Sequence, residues 1–268
     1  METARAETPL DWRDGRFSAG RRVLAAEAAV AISFNGVSHA VMMASPSDLE
    51  DLARGFALSE GIAADPGEIE AVTVLEGERG FDVQLRIAAD AEARLAARRR
   101  AMAGPVGCGM CGLESIDAAM RAVPAVAARV AISPAEIAAA AAAMVAAQTL
   151  NAQTRAVHGA GFWIPGEGLV ALREDVGRHN ALDKLIGAFS GDLQLGAIVL
   201  SSRVSIELIQ KAASAGCGLL LAVSAPTALA VDAARQAGIT LAAVVRGNEF
   251  EVFTHPGRIR EGALPHVA

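Results

Sequence analysis

The chain is 268 residues long, enough for one large α/β domain or two closely packed lobes with a substantial core. It is 53% hydrophobic but only 4% aromatic, with no Tyr, so Ala, Val, Leu and Ile must build that core and disorder is excluded. A net charge of −6 excludes a general nucleic-acid or anionic-membrane surface, because both demand a basic excess; any anionic ligand must meet a local basic pocket. Only two of the 24 basic residues are Lys, Lys184 and Lys211, which leaves cationic work to Arg, whose planar fork suits phosphate.

METARAETPLDWRDG opens the chain without an apolar signal region, and the longest apolar run, Ile137 to Ala147, is too short to span a bilayer. A cytoplasmic protein is expected. In VAISFNGVSHAVMMA, Asn35-Gly36 between β-prone runs predicts a hairpin. SPSDLEDLARGFALSEG predicts a helix with Ser45 as N-cap, Pro46 in the first turn, Asp48 offsetting the dipole and Gly61 as the stop. AVTVLEGERGFDVQLRI repeats strand, turn and strand. ARLAARRRAMAGPVGCGMCG then loses periodicity and reads as a connector, followed by a short helix at LESIDAAM. Beyond Ser133 the pattern changes to an Ala-rich helix, a hairpin around PGEG, and alternating helices and short apolar strands ending in the strand pair ITLAAVVRG and EFEVFTH. Such alternation is the mark of βαβ units around a sheet buried on both faces. The expected division is 1–103 as an antiparallel β lobe with a helix, 104–132 as connector, and 133–268 as an α/β lobe.

Ligands of open α/β sheets gather where strands end and helices begin. Glu174, Asp175, Arg178, His179 and Asn180 fall at one such junction, with Lys184 a turn further on; Ser202 and Arg203 fall at the next, and Ser224 at the one after. Taken singly, Asp175, Ser202 and Ser224 are ordinary helix caps. Together the three junctions describe a pocket for a polar, anionic ligand.

Cys108 and Cys111 sit three apart among glycines. A structural zinc site calls for a second pair of ligands, and none is present at finger spacing. A zinc deaminase calls for H-x-E, yet none of His39, His158, His179, His255 and His266 precedes Glu by two positions. A thioredoxin-type redox site fits the glycine-rich flanks poorly. A sulfur carrier needs an exposed thiolate on a segment with reach, which glycines provide, and Arg98 to Arg100 favour the thiolate form. Cys217, entering an apolar strand, reads as inert packing.

GCGMCG, EDVGRHNALDKLIG, SSRVSIELIQKAASAG, SAPTALAVDAARQAGITL and VVRGNEFEVFTHPGRI, with SPSDLEDLARGFALSEG, closely resemble the FdhD family of formate dehydrogenase accessory sulfurtransferases. The resemblance implies an α/β fold with a cytidine-deaminase-like mixed sheet and flanking helices in the C-terminal lobe, lacking the zinc site, plus a smaller α+β N-terminal lobe. It implies a dimer that takes persulfide sulfur from a cysteine desulfurase. The sulfur then passes to the molybdenum cofactor, as bis-molybdopterin guanine dinucleotide, for the catalytic subunit of formate dehydrogenase. The persulfide cysteine matches Cys108, with Cys111 its companion, and the cofactor-contacting segment matches Val244, Val245, Arg246, Gly247, Asn248, Glu249 and Phe250. Glu249 stands where a phosphate-facing segment favours a basic residue, and the first twenty residues match no part of the pattern. Arg178, His179, Asn180, Ser202, Arg203 and Ser224 are assigned to the same ligand pocket. The other reading is a non-catalytic cofactor chaperone whose cysteines are redox or metal-binding.

Overall fold

The computed structural model describes residues 2–102, 123–127 and 129–261. Cys108, Cys111 and the helix expected at Leu113–Met120 lie outside the described residues. The chain opens as a long two-stranded ribbon: β1 (Ala4–Glu7) pairs with β4 (Arg22–Ala25), and β2 (Leu10–Arg13) with β3 (Arg16–Ala19).

A four-stranded sheet follows, from β5 (Ala28–Phe34), β6 (Val37–Ala44), β7 (Ile69–Gly77) and β8 (Gly80–Ile87), in the order β6-β5-β8-β7. The Asn35-Gly36 hairpin forms as expected, both residues at positive φ (48° and 80°), as a type I′ turn requires. One face of this sheet, including Val30, Ile32, Val83 and Leu85, is buried beneath α1 (Leu49–Ser59). That helix starts later than expected. Ser45 is buried rather than capping, and Asp48 is the cap residue at φ 52° with no side-chain cap bond, because the backbone and hydroxyl of Ser45 are held by residues of the second sheet layer. Gly61 does end the helix, at φ 65°. The Ala93–Met102 stretch, expected as connector, continues helix α2 (Ala89–Met102). Ala, Arg and Leu there favour a helix, although the weak apolar pattern conceals it.

The second sheet has six strands: β9 (His158–Ile164), β10 (Gly168–Asp175), β11 (Ala197–Leu200), β12 (Leu219–Ala222), β13 (Thr240–Arg246) and β14 (Glu249–Thr254), ordered β10-β9-β11-β12-β13-β14. It is mixed, with β11, β12 and β13 parallel and the outer strands antiparallel. Alternate strand residues serve opposite faces. Ile198, Leu200, Leu220 and Leu241 meet α5 (Arg178–Ala188), α6 (Ile206–Ser214) and α7 (Ala228–Ala237), while Val199, Leu221 and Ala242 meet α3 (Pro134–Ala147). A short α4 (Thr149–Thr154) follows α3, whose start carries the Ser133/Glu136 capping box.

The two sheet layers meet through α1 and α5. A Cβ on Gly55 would overlap the Asp183 carbonyl, and one on Gly187 the Asp51 carbonyl, so glycine on each helix is what lets the backbones cross this closely. Both lysines lie at this seam. Lys184 is fully buried, 2.7 Å from the Asp175 carboxylate, and donates to the Ser45 carbonyl. Lys211 donates to Asp183, Glu60 and Ser59 at 2.8–3.0 Å. Lys184 therefore belongs to the seam and not to a ligand pocket.

Candidate functional site

Because β11, β12 and β13 run parallel, their carboxyl ends share one edge of the sheet. Antiparallel β9 brings its first residue, His158, to that edge, where it pairs with Asp175 at the end of β10. The helices α5, α6 and α7 start there. Their caps are Gly177, Ser205 and Thr227, so Asp175, Ser202 and Ser224 are not the caps that their residue types suggested. Each has other work. Asp175 accepts from Gly177 N (2.7 Å), Ser45 N (2.9 Å) and Asn180 Nδ2 (3.0 Å), Ser202 donates to the Arg203 carbonyl, and the Ser224 carbonyl accepts from Val244 N. Glu174, one residue earlier on the strand, faces the other way and accepts from Leu150 N and Asn151 N at the start of α4.

Arg178, His179, Arg203 and His158 converge at this edge. His158 is held below its usual value by burial and then by the positive charges of Arg178 and Arg203, against the pull of Asp175. His179 is lowered by burial and Arg178, although Glu207 opposes this. The Nε2 atom of His179 lies 3.3 Å from Ser205 Oγ and 3.4 Å from Glu207 Oε2. Burial presses the Glu207 carboxyl upward, yet bonds from Ser205 and its own backbone keep it below the ordinary value. Both imidazoles are thus neutral near pH 7, and the arginines supply the charge. Asn180 donates through Nδ2 to the Met43 carbonyl (2.8 Å) as well as to Asp175, tying the start of α5 to the first sheet.

Arg178 Nε lacks a partner among the described residues, as does Gln148 Nε2 on the opposite face of the sheet, over Gly159 and on the side of Glu174. A buried donor without an acceptor costs about 1–3 kcal/mol. Residue spacing gave no sign of His158 or Gln148. His158 arrives through the β9–β10 pairing, and Gln148 through the kink between α3 and α4.

The expected ligand segment lies at the end of β13. Val244 has φ 57°, a conformation that a β-branched residue adopts only under strain. The register slips there: Ala243 faces Glu251 and Arg246 faces Glu249, so Val244 and Val245 together oppose Phe250. The result is a β-bulge, a device that re-aims the chain beyond it. Val245 is buried against α3 and Phe250 packs with it, whereas Arg246, Gly247, Asn248 and Glu249 form an exposed turn, with Gly247 at φ 58°. Val244 on β13 stands three strands from His158 on β9, or about 14 Å at the usual strand spacing. Cys217 is fully buried, its thiol pushed up to about 11 by burial, as expected of inert packing.

The FdhD/NarQ family model matches residues 25–260. The chain belongs to the FdhD/NarQ family. Among FdhD/NarQ relatives, the sulfur carrier protein FdhD of Agrobacterium fabrum is 54% identical over 92% of this chain and 93% of its own. That of Brucella abortus is 52% identical over 94% of this chain and 95% of its own, and that of Cupriavidus necator 46% over 94% and 88%. A solved structure described as a formate dehydrogenase accessory protein, from Desulfotalea psychrophila, superposes with a TM-score of 0.76 over 97% of this chain and all of that one. At 24% identity it speaks for the shared fold alone. No helix among the described residues is long and apolar enough to cross a membrane.

Proposed function

We propose that the chain is a cytoplasmic sulfurtransferase that accepts persulfide sulfur from a cysteine desulfurase and hands it to the bis-molybdopterin guanine dinucleotide cofactor destined for formate dehydrogenase. Family membership and relatives named as sulfur carriers support the sulfur half of this reading. The cofactor half rests chiefly on the polar edge of the second sheet. There, Arg178 and Arg203 offer fixed positive charge, and Arg178 Nε is a donor with no partner among the described residues, in a chain that is acidic overall. An edge of about 14 Å from His158 to Val244 suits an extended nucleotide better than a single small anion. The reading includes a deaminase-like arrangement of the second sheet without its zinc site.

In the transfer, the Cys108 thiolate attacks the outer sulfur of the donor's persulfide, forming Cys108–S–SH as the donor cysteine leaves as thiolate. Attack by the Cys111 thiolate on the inner, Cys108 sulfur then closes a Cys108–Cys111 disulfide and releases the outer sulfur at the sulfide level, as the cofactor's terminal ligand. The test is to incubate the full chain with a desulfurase and cysteine, then to weigh the CxxC peptide without reductant. One added sulfur atom is expected, lost in Cys108→Ala while GDP binding persists. Loading that survives in Cys108→Ala transfers the role to Cys111. No loading on either cysteine, with cofactor still bound tightly, leaves a cofactor chaperone instead.

A further inference from the structure

His179 meets two partners with the same ring nitrogen. Its Nε2 atom lies 3.3 Å from Ser205 Oγ and 3.4 Å from Glu207 Oε2, both at the start of α6. The Ser205 hydroxyl and the Glu207 backbone N–H donate to the Glu207 carboxylate and hold it ionised. The one proton of Ser205 is thereby spent, so toward His179 each partner offers only a lone pair. Nε2 must then be the protonated nitrogen and Nδ1 the bare one. The opposite tautomer would set a ring lone pair against the carboxylate. Because the serine and the carboxylate share one nitrogen, they do not flank the imidazole as nucleophile and acid. They can only aim and tune it.

A second rung holds this pair in place. His179 and Asp183 lie four apart on α5, and Glu207 and Lys211 four apart on α6, so each two share a helix face. Lys211 Nζ donates to both Asp183 oxygens at 2.9 Å and 3.0 Å inside the protein, while the His179 and Glu207 side chains stay 33% and 43% exposed. The buried rung fixes the spacing of the two helices, and the outer rung is open to a ligand. Arg178 on its own helix and Lys211 on α6 both oppose a proton on His179, and Lys211 is offset by Asp183 and Glu60. Across the edge, Arg203 and Asp175 act on His158. Among the described residues, Glu207 is thus the carboxylate that favours a charged His179, and Nδ1 makes no hydrogen bond. A charge-assisted bond is about 2.7–2.9 Å long, so the longer contacts at Nε2 have room to tighten once the ring is charged.

We propose that Glu207, with Ser205, is a positioning residue of the ligand edge: it fixes the proton of neutral His179 on Nε2, so that Nδ1 takes up a second proton when a nucleotide phosphate arrives. This rests on the reading of the edge as the nucleotide site. No covalent bond to the ligand forms or breaks; one proton passes from solvent to Nδ1. His179 becomes an imidazolium between the Glu207 carboxylate and the phosphate. The arginines attract the anion at all times, whereas His179 adds its charge only while the anion is there to balance it.

Two measurements on the full chain test the proposal. Nitrogen-15 NMR of the histidine-labelled, ligand-free chain above pH 7 reads the tautomer, with His179 assigned by the signal lost in His179→Gln. Nε2–H is expected in the wild type and a mixture in Glu207→Gln, whose amide can donate to the ring. Calorimetry of GDP binding at pH 7, in buffers of low and high ionisation enthalpy, counts the protons taken up. Net uptake is expected in the wild type, and Glu207→Gln should lose at least half of the share that His179→Gln removes. With unchanged circular dichroism, Glu207→Gln should also weaken GDP about tenfold at pH 6, the equivalent of one unit in the imidazole pKa. The wild-type tautomer needs no substitution, so it decides even where a variant fails to fold. An Nδ1–H tautomer in the wild type, or the same proton uptake in Glu207→Gln as in the wild type, overturns the proposal while GDP binding stands. GDP binding that is absent, or indifferent to Arg178→Gln, overturns the reading of the edge itself and the proton uptake with it.

Discussion

His158 and His179 face the same sheet edge, and burial together with neighbouring arginines holds both below the ordinary imidazole value of 6.5. The folded chain thus binds fewer protons at these sites than the unfolded chain does. Stability should fall as pH drops through 6.5 and level off only below the folded values. A ligand anion has the opposite dependence, because protonated imidazoles add charge to that of Arg178 and Arg203. Urea unfolding and GDP titration across pH 5.5–7.5 should show stability decreasing and affinity increasing toward acid. A His158→Gln, His179→Gln double variant should flatten both trends. The residue types Arg178, His179 and Arg203 were legible as a polar junction from spacing along the chain. His158 was not, because only strand pairing brings it beside Asp175.

At the scale of elements, the order of helices and strands beyond Ser133 followed directly from short apolar runs alternating with helical ones. Local distortions did not. The bulge at Val244 and Val245 is invisible in ITLAAVVRG, since neither residue is a turn former. Its left-handed residue costs about 1–2 kcal/mol in any side chain with a Cβ. Val244→Gly should therefore leave stability unchanged or raise it by up to about 1 kcal/mol, whereas Val245→Gly, which empties a buried site, should lower it by more than about 2 kcal/mol. If Val244→Gly proves as damaging as Val245→Gly in thermal unfolding, the bulge is not strained. The start of α1 was misplaced for a related reason: Ser45 has the chemistry of a cap but is claimed by Asp175, Val176 and Lys184 from 130 or more residues away.

Over the whole molecule, two apolar layers are joined by a seam that is polar and tightly fitted. Lys184 and Asp175 are both fully buried there, so neither charge has water to fall back on. Lys184→Met should cost about 3–5 kcal/mol in urea unfolding by leaving the Asp175 carboxylate unpaired, and adding Asp175→Asn should recover much of it. Equal losses in the single and double variants would show that the pair adds nothing beyond packing. The sequence by itself determined the acidic character of the chain, the alternation of its elements and the family to which it belongs, because these depend on composition, local period and motif. Only the tertiary structure decided that both lysines close a seam, that His158 joins the site, and that an aromatic face stands exposed. Those outcomes depend on strand register and helix crossing, which bring together residues whose separation along the chain carries no periodic signal.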